Sequence, residues 1–214
     1  MKVSELSAAT GVTVPTIKYY LREGLLAPGE STSANQASYS ETHVQRLRLI
    51  RALIDVGNLS VATARTVLEA IDTPDLPLTW VFGVAQYAIS DVSLYAPIAG
   101  PTAGTAKVDA FIADSGWHVS PDNPGRAGAA RVLDSYESAG HPELAHIWDG
   151  YARGSELIAT ADLQSVAAQS ELSAMAETVV VGTILGDALL SSLRRMAQEH
   201  MSNQLFPAPE EDAK

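Results

Sequence analysis

The stretch that most restricts the fold is residues 2–26, which carry signals for two short helices in succession. Gly11 is placed to end the first helix in the left-handed conformation. Thr13 can cap the second helix, Pro15 is tolerated in its first turn, and Gly24 can close it. Two short helices joined by a tight Gly-Val turn predict a helix-turn-helix.

The second of these helices has two chemically different faces. At about 100° per residue, Val14, Ile17 and Leu21 fall on one side and predict a buried stripe, with Tyr20 flanking it. The opposite face contains two cations, a phenol, a small hydroxyl and no acid, and consists of Pro15, Thr16, Lys18, Tyr19 and Arg22. Such a face, beside a capped helix N-terminus, is suited to phosphate groups.

The rest of the chain predicts further helices with one interruption. Residues 25–40 are rich in Gly, Ser, Asn and Pro and predict a loop or hairpin, followed by helices at 41–56 and 61–71. Two prolines in 72–79 indicate a linker, and the sequence that follows it predicts helices only. The sequence therefore predicts a mainly α protein with domains at 1–71 and 80–205, and a disordered tail at 206–214.

Charge is unevenly distributed between these two segments. The whole chain carries a net charge of −11, but residues 1–71 contain seven basic and six acidic side chains. The acidic excess therefore lies in the second segment, which would repel an anionic polymer. A nucleic-acid surface, if present, is expected before residue 72.

Other features of composition restrict the protein class. The absence of cysteine excludes disulfides and thiolate metal sites. No secretory signal pattern is visible, and no apolar run approaches the roughly 18 residues of a membrane span. We therefore expect a soluble, cytoplasmic protein with no membrane partner.

The segments KVSELSAATGVTVPTIKYYLREGLL and YSETHVQRLRLIRALIDVGNLSVATARTVLEAI resemble the DNA-binding domain of the MerR family of bacterial transcription regulators. The resemblance covers residues 1–71 and implies a winged helix-turn-helix, with 13–23 as recognition helix and the hairpin 27–39 as wing. It also implies homodimers that bind inverted repeats in promoters and act on RNA polymerase there. The expected DNA contacts are Thr13, Pro15, Thr16, Lys18, Tyr19, Arg22, Ser38 and Tyr39.

Two departures from the family pattern concern basic residues that would contact DNA. Lys18 stands where the family usually has arginine, so the charge is kept but the bidentate fork is lost. The wing usually has an arginine beside the position of Tyr39, whereas this chain has Ser38 and no cation from residue 27 to 42. We expect modest affinity per half-site and strong reliance on dimerisation.

The last predicted helix, 171–203, contains a heptad-like apolar seam in which Gly182 and Gly186 form a GxxxG pair, followed by Leu189 and Leu193. Each glycine costs about 1 kcal/mol inside a helix, so close packing of another helix is expected to require them. The sequence leaves two alternatives open, namely a tight crossing within the chain or a dimer interface. Charged residues in the helix argue against a membrane span.

Aromatic residues are concentrated in the second half of the chain, where the family places its effector pocket. Core packing is the ordinary role of such residues, but a shared cavity is the alternative. The candidate ligand-binding residues are Tyr87, Trp117, Tyr136, Trp148 and Tyr151. The acidic balance favours a cationic or neutral small-molecule effector over an anionic one.

Metal binding and catalysis have little support in the sequence. His141, Glu143 and His146 cluster in HPELAHIWD, but their spacing does not provide a full ligand set. No metal site, cofactor or catalytic residue is predicted, and an enzyme is not expected. The main alternative to a ligand-responsive regulator is an architectural DNA-binding protein whose C-terminal half serves assembly only.

Overall fold

A computed structural model describes residues 1–33, 36–90 and 92–206 of the chain. Its elements in chain order are α1 (Val3–Thr10), α2 (Val14–Arg22), β1 (Glu30–Ser33), β2 (Gln36–Ser38), α3 (Glu41–Arg51), α4 (Val61–Asp72), α5 (Leu78–Ile89), α6 (Val92–Tyr95), α7 (Ala103–Ser115), α8 (Pro124–Ser138), α9 (Trp148–Ala167) and α10 (Leu172–Leu205). The predicted mainly α fold with a small two-stranded sheet is confirmed.

The helix-turn-helix forms as its local signals predict. Gly11 ends α1 with φ +70°, in the left-handed region, and Gly24 follows α2 with φ +76°. The Thr13 hydroxyl oxygen accepts a hydrogen bond from the Thr16 backbone N–H at 3.3 Å and so caps α2. Ile17 and Tyr20 are buried, which fixes the opposite face of α2 toward solvent.

The wing is a short antiparallel hairpin in which Glu30 lies opposite Ser38 and Ser31 opposite Ala37. Its base is tied to the start of the chain by two backbone hydrogen bonds. The Tyr39 N–H donates to the Met1 carbonyl at 2.8 Å, and the Met1 nitrogen donates to the Tyr39 carbonyl at 2.7 Å. The wing is therefore anchored to Met1, which precedes α1.

Helix α3 continues into one π-helical turn, Ala52–Val56, so the predicted helix over 41–56 is helical throughout but not uniformly α. Gly57 follows this turn and lies against α10. A Cβ atom at Gly57 would clash with Ile184 Cγ2 and would lie 2.7 Å from the Leu53 carbonyl oxygen. Close contact between the π turn and α10 thus depends on glycine at this position.

The C-terminal helices follow the predicted segments with a few differences. The segment from Leu78 to Tyr95 contains two helices, since α5 ends at Ile89 and α6 begins at Val92. Helix α9 is continuous through Gly150 and Gly154 and follows a 3-10 segment, Pro142–Ile147. Phe206 is exposed, and the predicted disordered tail beyond it lies outside the described residues.

The expected domain boundary does not separate two cores. The helix-free segment is 73–77, shorter than the predicted linker 72–79, because α4 includes Asp72 and α5 begins at Leu78. One apolar cluster joins Leu47, Leu53 and Val67 of the N-terminal segment to side chains of α5 and α10. The first and last helices of the second half therefore pack directly on the helix-turn-helix unit.

Candidate functional site

The exposed face of α2, called here the α2 outer face, consists of Pro15, Thr16, Lys18, Tyr19 and Arg22. Pro15, Lys18 and Arg22 are exposed, Thr16 is half-buried, and Tyr19 is 36% exposed. Within the described residues, no carboxylate oxygen lies within 4 Å of the Lys18 or Arg22 nitrogens. The structure thus brings these predicted side chains together with both positive charges unneutralised.

The two tyrosines of α2 have different roles. The Arg22 guanidinium lies 5.7 Å from the centroid of the Tyr19 ring, a cation–π contact at the surface. Tyr20 is buried, and burial, together with the Asp55 carboxylate, raises the pKa of its hydroxyl. Tyr20 is therefore a neutral core residue, whereas Tyr19 and Arg22 form one exposed unit.

The N-terminus of α2 offers backbone donors as well as side chains. The Thr13 and Thr16 hydroxyl groups are 2.8 Å apart and hydrogen-bond to each other. Pro15 has no N–H, and the N–H groups of Thr16 and Ile17 donate to Thr13. A phosphate contact at Thr13 would therefore use its hydroxyl hydrogen, beside the Val14 N–H. The positive end of the helix dipole lies at the same place.

The wing residues differ in their availability for DNA. Ser38 is half-buried, and its hydroxyl oxygen lies 3.5 Å from the Met1 nitrogen. Tyr39 is only 9% exposed, and its ring meets His43 edge to face with 5.2 Å between centroids. The structure therefore places Tyr39 in the core and not on the surface predicted for it, because the residue after the hairpin turns inward over α3.

Arg46 is a residue whose role the sequence did not indicate. Its Nε donates to the Leu25 carbonyl at 3.0 Å, and Nη1 donates to Asp72 Oδ1 at 3.0 Å. Its Nη2 makes a second contact with Asp72. Arg46 thus connects α3 to Leu25, which follows α2, and to Asp72 at the end of α4. Its positive charge is paired with a carboxylate of the protein itself.

Four of the five predicted ligand-binding residues line one pocket. These are Trp117, Tyr136, Trp148 and Tyr151, and the pocket has a volume of about 380 Å³. Tyr87 lies elsewhere, where its hydroxyl donates to the Asp122 carbonyl at 2.8 Å. The structure therefore separates Tyr87 from the predicted group.

Phe111 completes this pocket and was not among the predicted residues. Its ring meets Trp117 at 5.0 Å and Trp148 at 5.2 Å between centroids, both edge to face. Phe111 lies on α7, six residues before Trp117, and core packing is the ordinary role of an aromatic residue at such a position. Only the crossing of α7 with α8 shows that it faces the pocket.

The two glycines of the GxxxG pair in α10 have no other helix packed against them. Within the described residues, no atom outside the local helix lies within 4 Å of a Cβ built on Gly182 or Gly186. Leu189 is 60% exposed and Leu193 is 50% exposed. The alternative of a tight crossing within the chain is thereby contradicted, and this face of α10 is open in the single subunit.

Helix α10 corrects one expectation drawn from composition. It contains an 18-residue window with mean hydropathy 1.4, so an apolar run of membrane-span length does exist. The same helix buries Val179, Val180 and Ile184 in the core shared with the helix-turn-helix. Its buried side is therefore occupied by the protein itself.

The His/Glu cluster is used in local contacts. His141 Nδ1 lies 3.0 Å from Glu143 Oε1, and His146 Nδ1 lies 2.5 Å from the Glu143 carbonyl oxygen. Among the described residues, no three His, Cys, Asp or Glu side chains converge as metal ligands would.

Comparison with known proteins assigns the N-terminal segment to a type. Residues 1–71 match the family described as MerR HTH family regulatory protein. The chain is 34% identical over 85 residues to the HTH-type transcriptional regulator ZntR homolog of Haemophilus influenzae, covering 34% of this chain and 63% of that protein. It is 45% identical over 56 residues to the nodulation protein NolA of Bradyrhizobium elkanii, covering 26% of each. The chain thus spans less than two thirds of these relatives.

A solved structure is similar over the whole length. It is that of the proposed transcriptional regulator SCO5550 from Streptomyces coelicolor A3(2), with a TM-score of 0.66 and 32% sequence identity. The match covers 99% of this chain and 100% of the other. The similarity therefore includes the C-terminal helices as well as the helix-turn-helix.

Proposed function

Because the chain belongs to the MerR family of helix-turn-helix transcription regulators, we propose that it binds an inverted-repeat promoter site as a homodimer and responds to a small non-metal ligand. DNA-binding regulation is the activity of the family to which it belongs. The dimer, the form of the operator and the ligand are the parts that we add. The protein is expected to act in the cytoplasm, together with RNA polymerase at the promoter.

The observation that carries the proposal is the α2 outer face. Two exposed cations and an exposed phenol project from a helix whose other side is fixed in the core. A rigid amphipathic helix with positive charge on its solvent side is the element that enters the major groove in helix-turn-helix proteins. The remaining side chains of the face, Pro15 and Thr16, are small enough to allow close approach.

The cation count of one subunit supports binding as a dimer. Lys18 and Arg22 are the two basic residues of the α2 outer face, and residues 27–42 contain no Lys or Arg. Each phosphate neutralised contributes to affinity by releasing counterions, so few cations mean a weak half-site. Two linked half-sites raise the effective concentration of the second contact. Part of the binding energy is expected to deform the promoter spacer, as in the family.

The open face of α10 supports a second copy as the partner. Gly182 and Gly186 leave a gap where another helix backbone can approach, and Leu189 and Leu193 continue the same seam in solvent. Burial of apolar surface at about 25 cal/mol per Å² would stabilise such an association. Leu157 and Leu163 of α9 are also exposed and extend the apolar surface.

The aromatic pocket favours a ligand-responsive regulator over a purely architectural protein. A helical domain that served assembly alone would be expected to fill its core, whereas this one has an apolar recess of about 380 Å³. That volume lies within the ordinary range for small-molecule sites, roughly 300–1,000 Å³. We propose no cofactor and no catalytic activity.

The DNA assignment is tested with the double variant Lys18→Ala/Arg22→Ala. An operator is first selected from a random duplex library with the unaltered protein, and affinities are then measured by gel shift at several salt concentrations. We expect the affinity of the dimer to fall by about 100-fold or more, because four cation–phosphate contacts are lost. Circular dichroism and sedimentation should show an unchanged fold and assembly.

A matched control removes the same charge away from the α2 outer face. Arg65→Ala/Lys107→Ala deletes two cations on α4 and α7, and it should keep most of the operator affinity. Binding of the Lys18/Arg22 variant at the unaltered level would contradict the assignment of this face to DNA.

A further inference from the structure

The pocket between α7, α8 and α9 is built almost entirely of rings and aliphatic groups. Phe111 lies between Trp117 and Trp148 and touches both indoles with ring planes at 81° and 78°. Tyr136 and Tyr151 complete the aromatic lining. Edge-to-face contacts among protein rings leave ring faces available for stacking with a further aromatic group.

Charge is absent from the lining of this pocket. Of the described residues that line it, none is Lys, Arg, Asp or Glu. A cation stands beside the lining, because the Arg194 guanidinium of α10 lies 5.6 Å from the Tyr151 ring centroid and donates to the Tyr151 hydroxyl at 2.8 Å. The face of Tyr151 and its hydroxyl are thus both engaged by a positive charge.

This arrangement selects against a cationic ligand. Aromatic pockets often attract cations through the faces of their rings. Here Arg194 already occupies that role at Tyr151, and a second cation would be repelled without a lining carboxylate to offset it. An anion would gain from Arg194 only at the rim and would lose its hydration inside. An uncharged ligand meets neither cost.

One polar group in the pocket wall lacks a partner. Among the described residues, the Trp148 indole Nε1 is buried and makes no hydrogen bond. An unpaired buried donor is uncommon and unfavourable.

We propose that the pocket binds an uncharged, planar aromatic molecule of two to three fused rings. The claim rests on the proposed ligand-responsive function and specifies the chemical class of the effector. It narrows the expectation, drawn from the acidic balance of the chain, of a cationic or neutral effector to a neutral one. The determining features are the five rings, the uncharged lining and the Arg194 guanidinium at the rim.

The test uses three probes of nearly equal shape and different charge: phenanthridine, N-methylphenanthridinium and phenanthridine-6-carboxylate. Binding is followed by quenching of tryptophan fluorescence in a Trp80→Phe background. The chain has three tryptophans, and the two that remain in this background, Trp117 and Trp148, both line the pocket. Trp80 lies on α5 and is 68% exposed, so its replacement removes a fluorescence signal from outside the pocket. We expect saturable binding of phenanthridine at pH 7.5, and binding at least tenfold weaker for each charged analogue.

Two variants connect the binding to this pocket. Ala152→Leu adds volume to the α9 wall and should weaken phenanthridine by at least tenfold, with an unchanged circular dichroism spectrum. Arg194→Glu leaves the lining intact and should strengthen binding of the cationic probe relative to phenanthridine by at least tenfold.

The outcomes separate this inference from the proposed function. Absence of saturable phenanthridine binding, or equal or tighter binding of either charged probe to the protein, would overturn the ligand class. Unchanged binding by Ala152→Leu would overturn the location. Operator binding is measured on the same preparations without probe. If these preparations bind phenanthridine but no operator, the proposed regulation is contradicted and the proposed ligand class of the pocket still stands.

Discussion

At the scale of single residues, some basic side chains of the N-terminal segment are paired within the protein and others are available to DNA. The position of the residue, and not its type, decides between the two. Arg46 is used internally, with hydrogen bonds to the Leu25 carbonyl and to Asp72. Arg51 pairs with Asp55 at 2.7 Å. Lys18 and Arg22 remain available on the α2 outer face. A count of basic residues therefore overstates the charge that this segment can offer to DNA.

We predict that Arg46→Lys destabilises the protein by about 1–2 kcal/mol, because an ammonium group cannot reproduce three directed hydrogen bonds. The loss is limited by the exposure of Asp72, whose side chain is 57% exposed. Urea unfolding followed by circular dichroism measures the change.

Arg65→Lys is the matched control for this substitution. Arg65 pairs with Glu69 at 3.8 Å along an exposed helix face, and such pairs contribute only about 0.3–0.5 kcal/mol. Equal stabilities for the two variants would show that the Arg46 contacts do not support the fold.

At the scale of elements, the wing and α2 differ in the positive charge that they offer to DNA. The wing hairpin is short, is anchored through backbone hydrogen bonds to Met1 and contains no Lys or Arg. In the DNA complex that we propose, the wing would contribute hydrogen-bond donors such as the Ser38 hydroxyl and no basic side chain. The α2 outer face therefore has to supply most of the electrostatic attraction.

We predict that Ser38→Arg increases operator affinity and steepens its salt dependence. One added phosphate contact per subunit should increase the magnitude of the slope of log K against log salt by about 1.8 for a dimer. Fluorescence anisotropy with a labelled operator across a potassium chloride series measures this slope.

Ser38→Gln provides the uncharged counterpart with a long polar side chain. It should leave the salt slope at the unaltered value. A slope that does not change in Ser38→Arg would show that position 38 is not near a phosphate in the complex.

The π turn that follows α3 is one of the places where the two halves of the chain meet, and α4 is another. Gly57 follows this turn, and its missing side chain allows Ile184 of α10 to approach. The helix with the open apolar seam is thus in direct contact with a helix of the DNA-binding unit.

At the scale of the whole molecule, one face of α10 is buried and another is open. Val179, Val180 and Ile184 lie in the common core. Asp187 has a raised pKa, caused first by burial and then by the nearby Asp162 carboxylate. The open side contains Gly182, Gly186 and the exposed leucines. A second subunit is the partner that would cover this side.

We predict that Gly182→Ala/Gly186→Ala weakens dimerisation while leaving the isolated subunit folded. Within the subunit, nothing described lies near the added methyl groups, and each alanine can stabilise the helix by up to about 1 kcal/mol. In a close helix crossing, the same methyl groups would separate the backbones. Sedimentation equilibrium over a concentration series measures the dimer dissociation constant, which should rise by about tenfold or more for a loss above 1.4 kcal/mol.

Gly83→Ala serves as the control, because Gly83 lies within α5 and its Cβ position is also open. This change should leave the dissociation constant unaltered. A dimer of unaltered strength in the Gly182/Gly186 variant would place the subunit interface elsewhere.

The sequence by itself determined the helix-turn-helix, the wing and the succession of C-terminal helices. Caps such as Thr13, the left-handed glycine at Gly11 and apolar periodicity act between residues close in the chain. Their effect on backbone conformation can therefore be predicted without knowledge of distant contacts. The exposed side chains of α2 were predictable for the same reason, since a short helix with one buried stripe has only one other face.

The tertiary structure alone decided which distant residues meet. Arg46 reaches Asp72, 26 residues away, Phe111 replaces Tyr87 in the aromatic group, and Tyr39 turns into the core. It also decided that the glycine seam is open, which the spacing of Gly182 and Gly186 left undetermined. Such contacts depend on the angles at which helices cross, and those angles arise from the packing of whole faces, not from the spacing of residues along one element.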